Sequence, residues 1–252
     1  MCLSRRALLI ASTAAVILGV TGLSGCRTKE PPHIELEKFE GRTVKVACVG
    51  DSITFGAGVD DREKNCYPAK LAEYLGSSYE VRNFGRSGAT LQKGGDLPYW
   101  TAPEFAAATE FQPDVVIVKL GTNDTKPQNW HDAAMFTRDF RALLDHFRGL
   151  KSRPQLWVCT PVPVYRDNWG INNQTLETGV IPSLMDECGR RKVPVIDLND
   201  ALLGKPEMFP DGVHPNAAGA ELMARTVVEA ISLRGASRGV RREIVYPGEE
   251  RR

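Results

Sequence analysis

A chain of 252 residues with 42% hydrophobic side chains is long enough to bury one sizeable core, so a single domain of about 200 residues with appendages is the expected division. The formal net charge of +1 gives no basic excess, which removes the electrostatic reason to expect a nucleic-acid partner. Neither a Cys-x-x-Cys pair nor a His-rich cluster occurs, so no metal and no cofactor are expected.

The N-terminus carries Arg5-Arg6, an apolar segment from Ala7 to Val20, and then Leu23-Ser24-Gly25-Cys26. About 14 residues is short for a permanent span, so residues 1–25 read as a signal peptide, with an uncleaved anchor helix as the alternative. Leu23-Ser24-Gly25-Cys26 is similar to a bacterial lipobox, which implies acylation of Cys26 and a lipoprotein held on a membrane outside the cytoplasm. Ser4-Arg5-Arg6-Ala7-Leu8 also resembles a twin-arginine export signal. Residues 26–42 are polar, stiffened by Pro31-Pro32, and read as a tether.

The domain proper is expected over residues 43–234. Val44 to Val49 is an apolar run that predicts a buried first strand, followed at once by Gly50-Asp51-Ser52. Tyr67 to Leu75 has helical spacing, Tyr79 to Phe84 is a second strand, and Val115 to Leu120 a third. Asp132 to Phe147 places Ala134, Phe136, Phe140, Leu143, Leu144 and Phe147 on one helical face, and Leu156 to Thr160 is a fourth strand. A helix over Thr175 to Arg190, a short strand over Val193 to Leu198, and a helix over Ala217 to Leu233 capped by Asn216 complete the series. Strands alternating with helices predict an α/β fold, a parallel sheet covered on both faces. The charged residues 235–252 form a loosely held tail. Of the four cysteines after Cys26, Cys48 and Cys159 lie in strand-like runs and read as buried thiols; export leaves a Cys66–Cys188 bridge open.

Ser52 stands where the chain leaves the carboxyl end of the first strand, the edge where open α/β sheets bind ligands. That placement makes it either a nucleophile with an exposed hydroxyl or a helix cap. His214 lies in the loop Phe209-Pro210-Asp211-Gly212-Val213-His214-Pro215, three residues after Asp211. There it can take a proton from a nucleophile while Asp211 fixes its tautomer.

Four blocks, Gly50-Asp51-Ser52, Gly85-Arg86-Ser87-Gly88, Gly121-Thr122-Asn123-Asp124 and Asp211-Gly212-Val213-His214, occur in order over residues 43 to 232. They resemble the SGNH hydrolases, also called the GDSL esterase family. The resemblance implies a three-layer, flavodoxin-like arrangement with a five-stranded sheet in the order 2-1-3-4-5. It also implies an oxyanion hole made by the backbone N–H groups of Ser52 and Gly88 and the side-chain amide of Asn123. A glycine at 88 suits that role because the backbone can approach a reacting carbonyl closely; an Asx turn is the other reading of Asn123. Asp51 and Asp124, beside these positions, read as structural.

Arg86, Trp100, Trp130, Arg166 and Trp169 fall in loops after strands. They either form a rim that grips a sugar or, for the tryptophans, roof the core. The stretches around Asn123, Trp169 and His214 look like those of sialate O-acetylesterases and related carbohydrate deacetylases. The expected activity is hydrolysis of short-chain esters, chiefly O-acetyl groups on carbohydrate. The rivals are a lipase, lysophospholipase or thioesterase on the same scaffold, and a catalytically silent carbohydrate-binding module.

Overall fold

The computed structural model describes residue 39 and residues 41–232. The expected signal peptide, Cys26, the tether as far as residue 38 and the tail from residue 235 lie outside the described residues. The last residue of the expected tether is already part of the fold, since the Arg42 guanidinium donates to both oxygens of Asp114 at 2.8 and 2.7 Å.

Strand β1 (Val44–Gly50) runs into one turn of helix, α1 (Ser52–Phe55), then α2 (Arg62–Asn65) and α3 (Tyr67–Leu75). Next come β2 (Tyr79–Gly85), α4 (Pro103–Glu110), β3 (Val115–Lys119), α5 (Ala133–Arg148) and β4 (Gln155–Cys159). Helices α6 (Asn173–Thr175) and α7 (Ile181–Arg191) lead to β5 (Val195–Ile196), followed by α8 (Leu198–Leu202) and α9 (Ala217–Ser232). The five strands are parallel in the order β2-β1-β3-β4-β5, as the resemblance implied.

A strand buried on both faces has no polar side to alternate with, which is why β1, β3 and β4 read as continuous apolar runs. Val46, Cys48, Val115, Ile117 and Trp157 point to one face, where they meet Tyr67 and Leu71 of α3 and Met223, Ala224 and Val227 of α9. Ala47, Val49, Val116, Val118 and Leu156 point to the other, against Phe136, Phe140, Leu143, Leu144 and Phe147 of α5 and Leu184 of α7. Each large side chain so buried contributes about 1.5–3 kcal/mol. Helix α5 starts where Asp132 accepts the N–H of Met135 at 2.7 Å, and α9 where Asn216 accepts that of Gly219 at 3.0 Å. Such caps contribute about 1 kcal/mol each.

Three expectations are corrected, and one question the sequence left open is answered. Ala134 is exposed, because it precedes the buried stripe of α5 by half a turn. The fifth strand is two residues long, since Asp197 turns away to accept the Asp200 N–H and start α8. The helix over 175–190 is divided by a π-helical turn, Leu176–Val180, just before Pro182; proline supplies no N–H and crowds the preceding turn, so the ladder widens there. All four described cysteines are free. Cys66 lies beside Asn83 of β2, on the α3 face of the sheet, whereas Cys188 is packed among the α5 residues on the opposite face, so no bridge joins them.

Candidate active site

The strand ends are level: Gly50 pairs with Gly85 of β2 and with Lys119 of β3. The turns that follow these three strands therefore converge, and they carry Ser52, Gly88 and Asn123. Glycine at 50 is required by packing, because a Cβ there would lie 2.6 Å from the Lys119 carbonyl oxygen.

Asp51, not Ser52, caps α1: its Oδ1 accepts the Ile53 N–H at 3.0 Å. Ser52 is the first helical residue. It is a largely buried residue, only 6% exposed. Its Oγ meets His214 Nε2 at 2.8 Å, and His214 Nδ1 meets Asp211 Oδ2 at 2.8 Å. The other oxygen of Asp211 accepts the backbone N–H groups of Val213 and His214 at 2.8 and 2.7 Å. Burial by itself would raise the Asp211 pKa, but these N–H groups and the imidazole hold it below the usual carboxylate range. Asp211 is thus an anion with both oxygens engaged, able to keep the imidazole in the tautomer whose Nε2 faces Ser52.

Gly88 sits in a left-handed turn at φ +80°. The buried Asn123 amide donates to the Ala89 carbonyl at 3.1 Å, which ties it to the Gly88 loop and leaves its second amide proton for another acceptor. The Asn129 amide in turn donates to the main-chain carbonyl of Asn123 at 2.9 Å. Asp124 is structural, as expected: it accepts the N–H groups of Leu91 and Gln92 at 2.9 and 2.8 Å and so shapes the same loop. Burial pushes its carboxyl up to about 6 in spite of those donors.

The rim residues separate into two groups. Trp100 donates its indole N–H to the Leu91 carbonyl and packs on Phe105, and Trp130 packs on Phe136 and fills the space over Gly179. Both pack against the core as partly buried side chains, in line with the second of the two readings the sequence left open. Trp169, by contrast, is 57% exposed, with its ring centroid 5.3 Å from that of His214. Arg166 reaches the Pro210 carbonyl at 3.3 Å, in the loop that carries Asp211 and His214. Arg86 lies beside the Gly88 turn, 3.6 Å from Glu104.

Several supporting residues escaped the sequence. The Tyr165 N–H donates to the Gly212 carbonyl at 2.8 Å and the Asn168 amide to the Asp211 carbonyl at 3.3 Å, so the loop after β4 braces the histidine loop. Lys119, fully buried, contacts Asp51 at 3.0 Å. Its one available signal was a lysine closing an otherwise apolar strand.

The GDSL-like Lipase/Acylhydrolase family model matches residues 48–222. An acetylxylan esterase from Xylanibacter ruminicola is 36% identical over 75% of this chain and 43% of its own length. A multidomain esterase from Ruminococcus flavefaciens is 24% identical over 75% of this chain and 28% of its own. The chain therefore spans less than half the length of these curated relatives. Among solved structures, the aryl esterase of M. smegmatis superposes with a TM-score of 0.63 at 23% identity, covering 74% of this chain and 97% of that one. A carbohydrate acetylesterase from Sinorhizobium meliloti gives 0.63 at 21% identity, over 74% and 97%. At those identities the structural likeness establishes the fold, while the match over most of the described domain establishes the lineage. The chain belongs to the GDSL-like lipase/acylhydrolase family, the SGNH hydrolases.

Proposed function

We propose that the chain is a carboxylic ester hydrolase that removes O-acetyl groups from carbohydrate, with Ser52, His214 and Asp211 as its catalytic triad. The observation that carries this reading is the unbroken hydrogen-bonded series Asp211–His214–Ser52 at the carboxyl edge of the sheet. A binding module has no use for a base and its orienter together. Ser52 Oγ attacks the ester carbonyl as its proton passes to His214 Nε2. The negative charge that develops on the carbonyl oxygen is met by the N–H groups of Ser52 and Gly88 and the free amide proton of Asn123. Collapse breaks the bond to the alcohol, which leaves with the proton from His214. Water, deprotonated by the same imidazole, then releases acetate from Ser52.

Because His214 hands its proton to the leaving oxygen, groups beside the imidazole face the alcohol portion of the ester. Trp169 stands there, exposed, and offers an aromatic face on which a sugar ring can stack. The acetylxylan esterase name of the relative supports a carbohydrate alcohol. p-Nitrophenyl acetate is expected to be cleaved much faster than the octanoate. Trp169→Ala should weaken acetate release from O-acetylated oligosaccharides more than from p-nitrophenyl acetate. If octanoate or a lysophospholipid is the better substrate, the carbohydrate reading fails and a lipase takes its place on the same residues.

Export and anchoring belong to the same proposal and rest on the sequence Leu23-Ser24-Gly25-Cys26 behind its apolar segment. Acyl chains contribute about 0.8 kcal/mol per buried CH₂, so two or three would hold the domain to a bilayer. Cys26→Ser should abolish metabolic labelling with a fatty acid; a wild-type protein that takes up no label and fractionates as soluble argues against the anchor.

A further inference from the structure

Lys119 has a fully buried side chain, and its ammonium has three acceptors: Asp51 Oδ1 at 3.1 Å, Asp51 Oδ2 at 3.0 Å and Thr122 Oγ1 at 2.7 Å. An ammonium has three protons, so the group is fully satisfied without water. Its partners belong to two different turns. Asp51 precedes Ser52 and caps the helix that Ser52 begins. Thr122 precedes Asn123, at the start of the turn Asn123–Thr125. Lys119 itself is the last residue of the strand between β1 and β4, level with Gly50.

A buried ion pair is an expensive way to stabilise a fold, because desolvation offsets most of the attraction and an apolar pair of similar volume often serves as well. What this pair supplies beyond stability is direction. A single charged group bonded to both turns fixes the distance between the residues that follow them. We infer that Lys119 is a positioning residue that holds the Ser52 turn and the Asn123 turn in register, so that nucleophile and oxyanion donor address the same carbonyl group. The inference rests on the proposed roles of Ser52 and Asn123. It adds a residue that touches no substrate and acts through Asp51 and Thr122.

Misplacing a reacting group by about 1 Å costs on the order of 10²-fold in rate, so loss of the tie should appear in kcat. Lys119→Met removes the charge but strands the Asp51 carboxylate in the interior, and it can fail to fold. Two milder variants of the full chain isolate the tie. Thr122→Val keeps the shape and the Lys119–Asp51 pair but removes the link to the Asn123 turn. Lys119→Met with Asp51→Asn removes both charges together and leaves an asparagine able to cap α1. Melting temperature and p-nitrophenyl acetate kinetics would be measured for each, and for each combined with Asn123→Ala.

The expected result is a folded protein whose kcat falls by roughly 10-fold to 100-fold with KM nearly unchanged, and a much smaller fall when Asn123 is already alanine, because the positioned group is then absent. Folded variants with wild-type kcat would overturn the inference and leave Lys119 a structural ion pair. Losses that multiply fully with that of Asn123→Ala would overturn it too. Ser52→Ala, assayed alongside, separates the two levels: full activity in that variant defeats the serine mechanism itself, whatever Lys119 does.

Discussion

Asn123, the proposed oxyanion donor, is a closely held side chain. Its amide carries two protons; one is committed to the Ala89 carbonyl, so the direction of the other is fixed before substrate arrives. A donor of that kind strengthens its bond only as charge develops on the substrate oxygen. Asn123→Ala is accordingly expected to lower kcat by roughly 10²-fold to 10³-fold with little change in KM, as measured by steady-state hydrolysis of p-nitrophenyl acetate. An effect confined to KM would assign Asn123 to ground-state binding instead. At this scale the residues that would do chemistry were legible, because Ser52, Asn123, Asp211 and His214 sit in short blocks next to glycines. Their supports were not. Asp51 was recognisable as structural, but nothing in the sequence paired it with Lys119, sixty-eight positions away. Trp100, Trp130 and Trp169 share a loop setting in the sequence, and only their packing distinguishes two core roofs from one exposed ring.

Among the elements, the contact of α5 with α7 has the most explicit electrostatics. Glu187 on α7 is nearly buried and accepts from Arg141 of α5 at 2.9 Å through both oxygens, and from Arg191 one turn on at 2.6 Å. Arg191 also pairs with Asp145 of α5. The Arg141 hydrogen bonds, working against burial and aided by Arg191, bring the Glu187 pKa down to about 2. A carboxylate whose folded pKa is depressed adds stability that is fully present above its ordinary value and is lost as pH falls toward the folded value. Glu187→Gln should therefore destabilise the domain by about 1–3 kcal/mol at neutral pH, through lost charge-assisted hydrogen bonds. In denaturant titrations the gap between variant and wild type should close as pH falls from about 4.5 toward 2. A gap that stays constant over that window would mean that packing, not charge, accounts for the loss. The helices themselves were legible wherever a full apolar stripe existed, as in α3, α5 and α9. Helix α4 was not anticipated: its one buried residue, Ala108, lies in a run of three alanines, so its sequence shows no sided pattern. The π-helical turn before Pro182 was invisible for another reason, since a proline announces an interruption but not the form it takes.

For the whole molecule, one geometric fact governs the rest: the ends of β1, β2 and β3 are level, and each is followed by a turn bearing one member of the site. The alternation of strands and helices was enough to expect a parallel sheet. The strand order came from the family resemblance, because strands buried on both faces carry no mark of their neighbours. His214 arrives from beyond β5 and reaches Ser52 across 162 positions of sequence, a proximity no local pattern encodes. The serine mechanism is tested most directly by quenching the first half-reaction. The full chain would be mixed with p-nitrophenyl acetate, stopped in acid within the first turnovers, digested and examined by mass spectrometry, with His214→Ala and Ser52→Ala treated alike. One added acetyl group is expected on the peptide containing Ser52 in the wild type, little in His214→Ala and none in Ser52→Ala. An acetyl group carried on another residue, or undiminished turnover by Ser52→Ala, would contradict that mechanism.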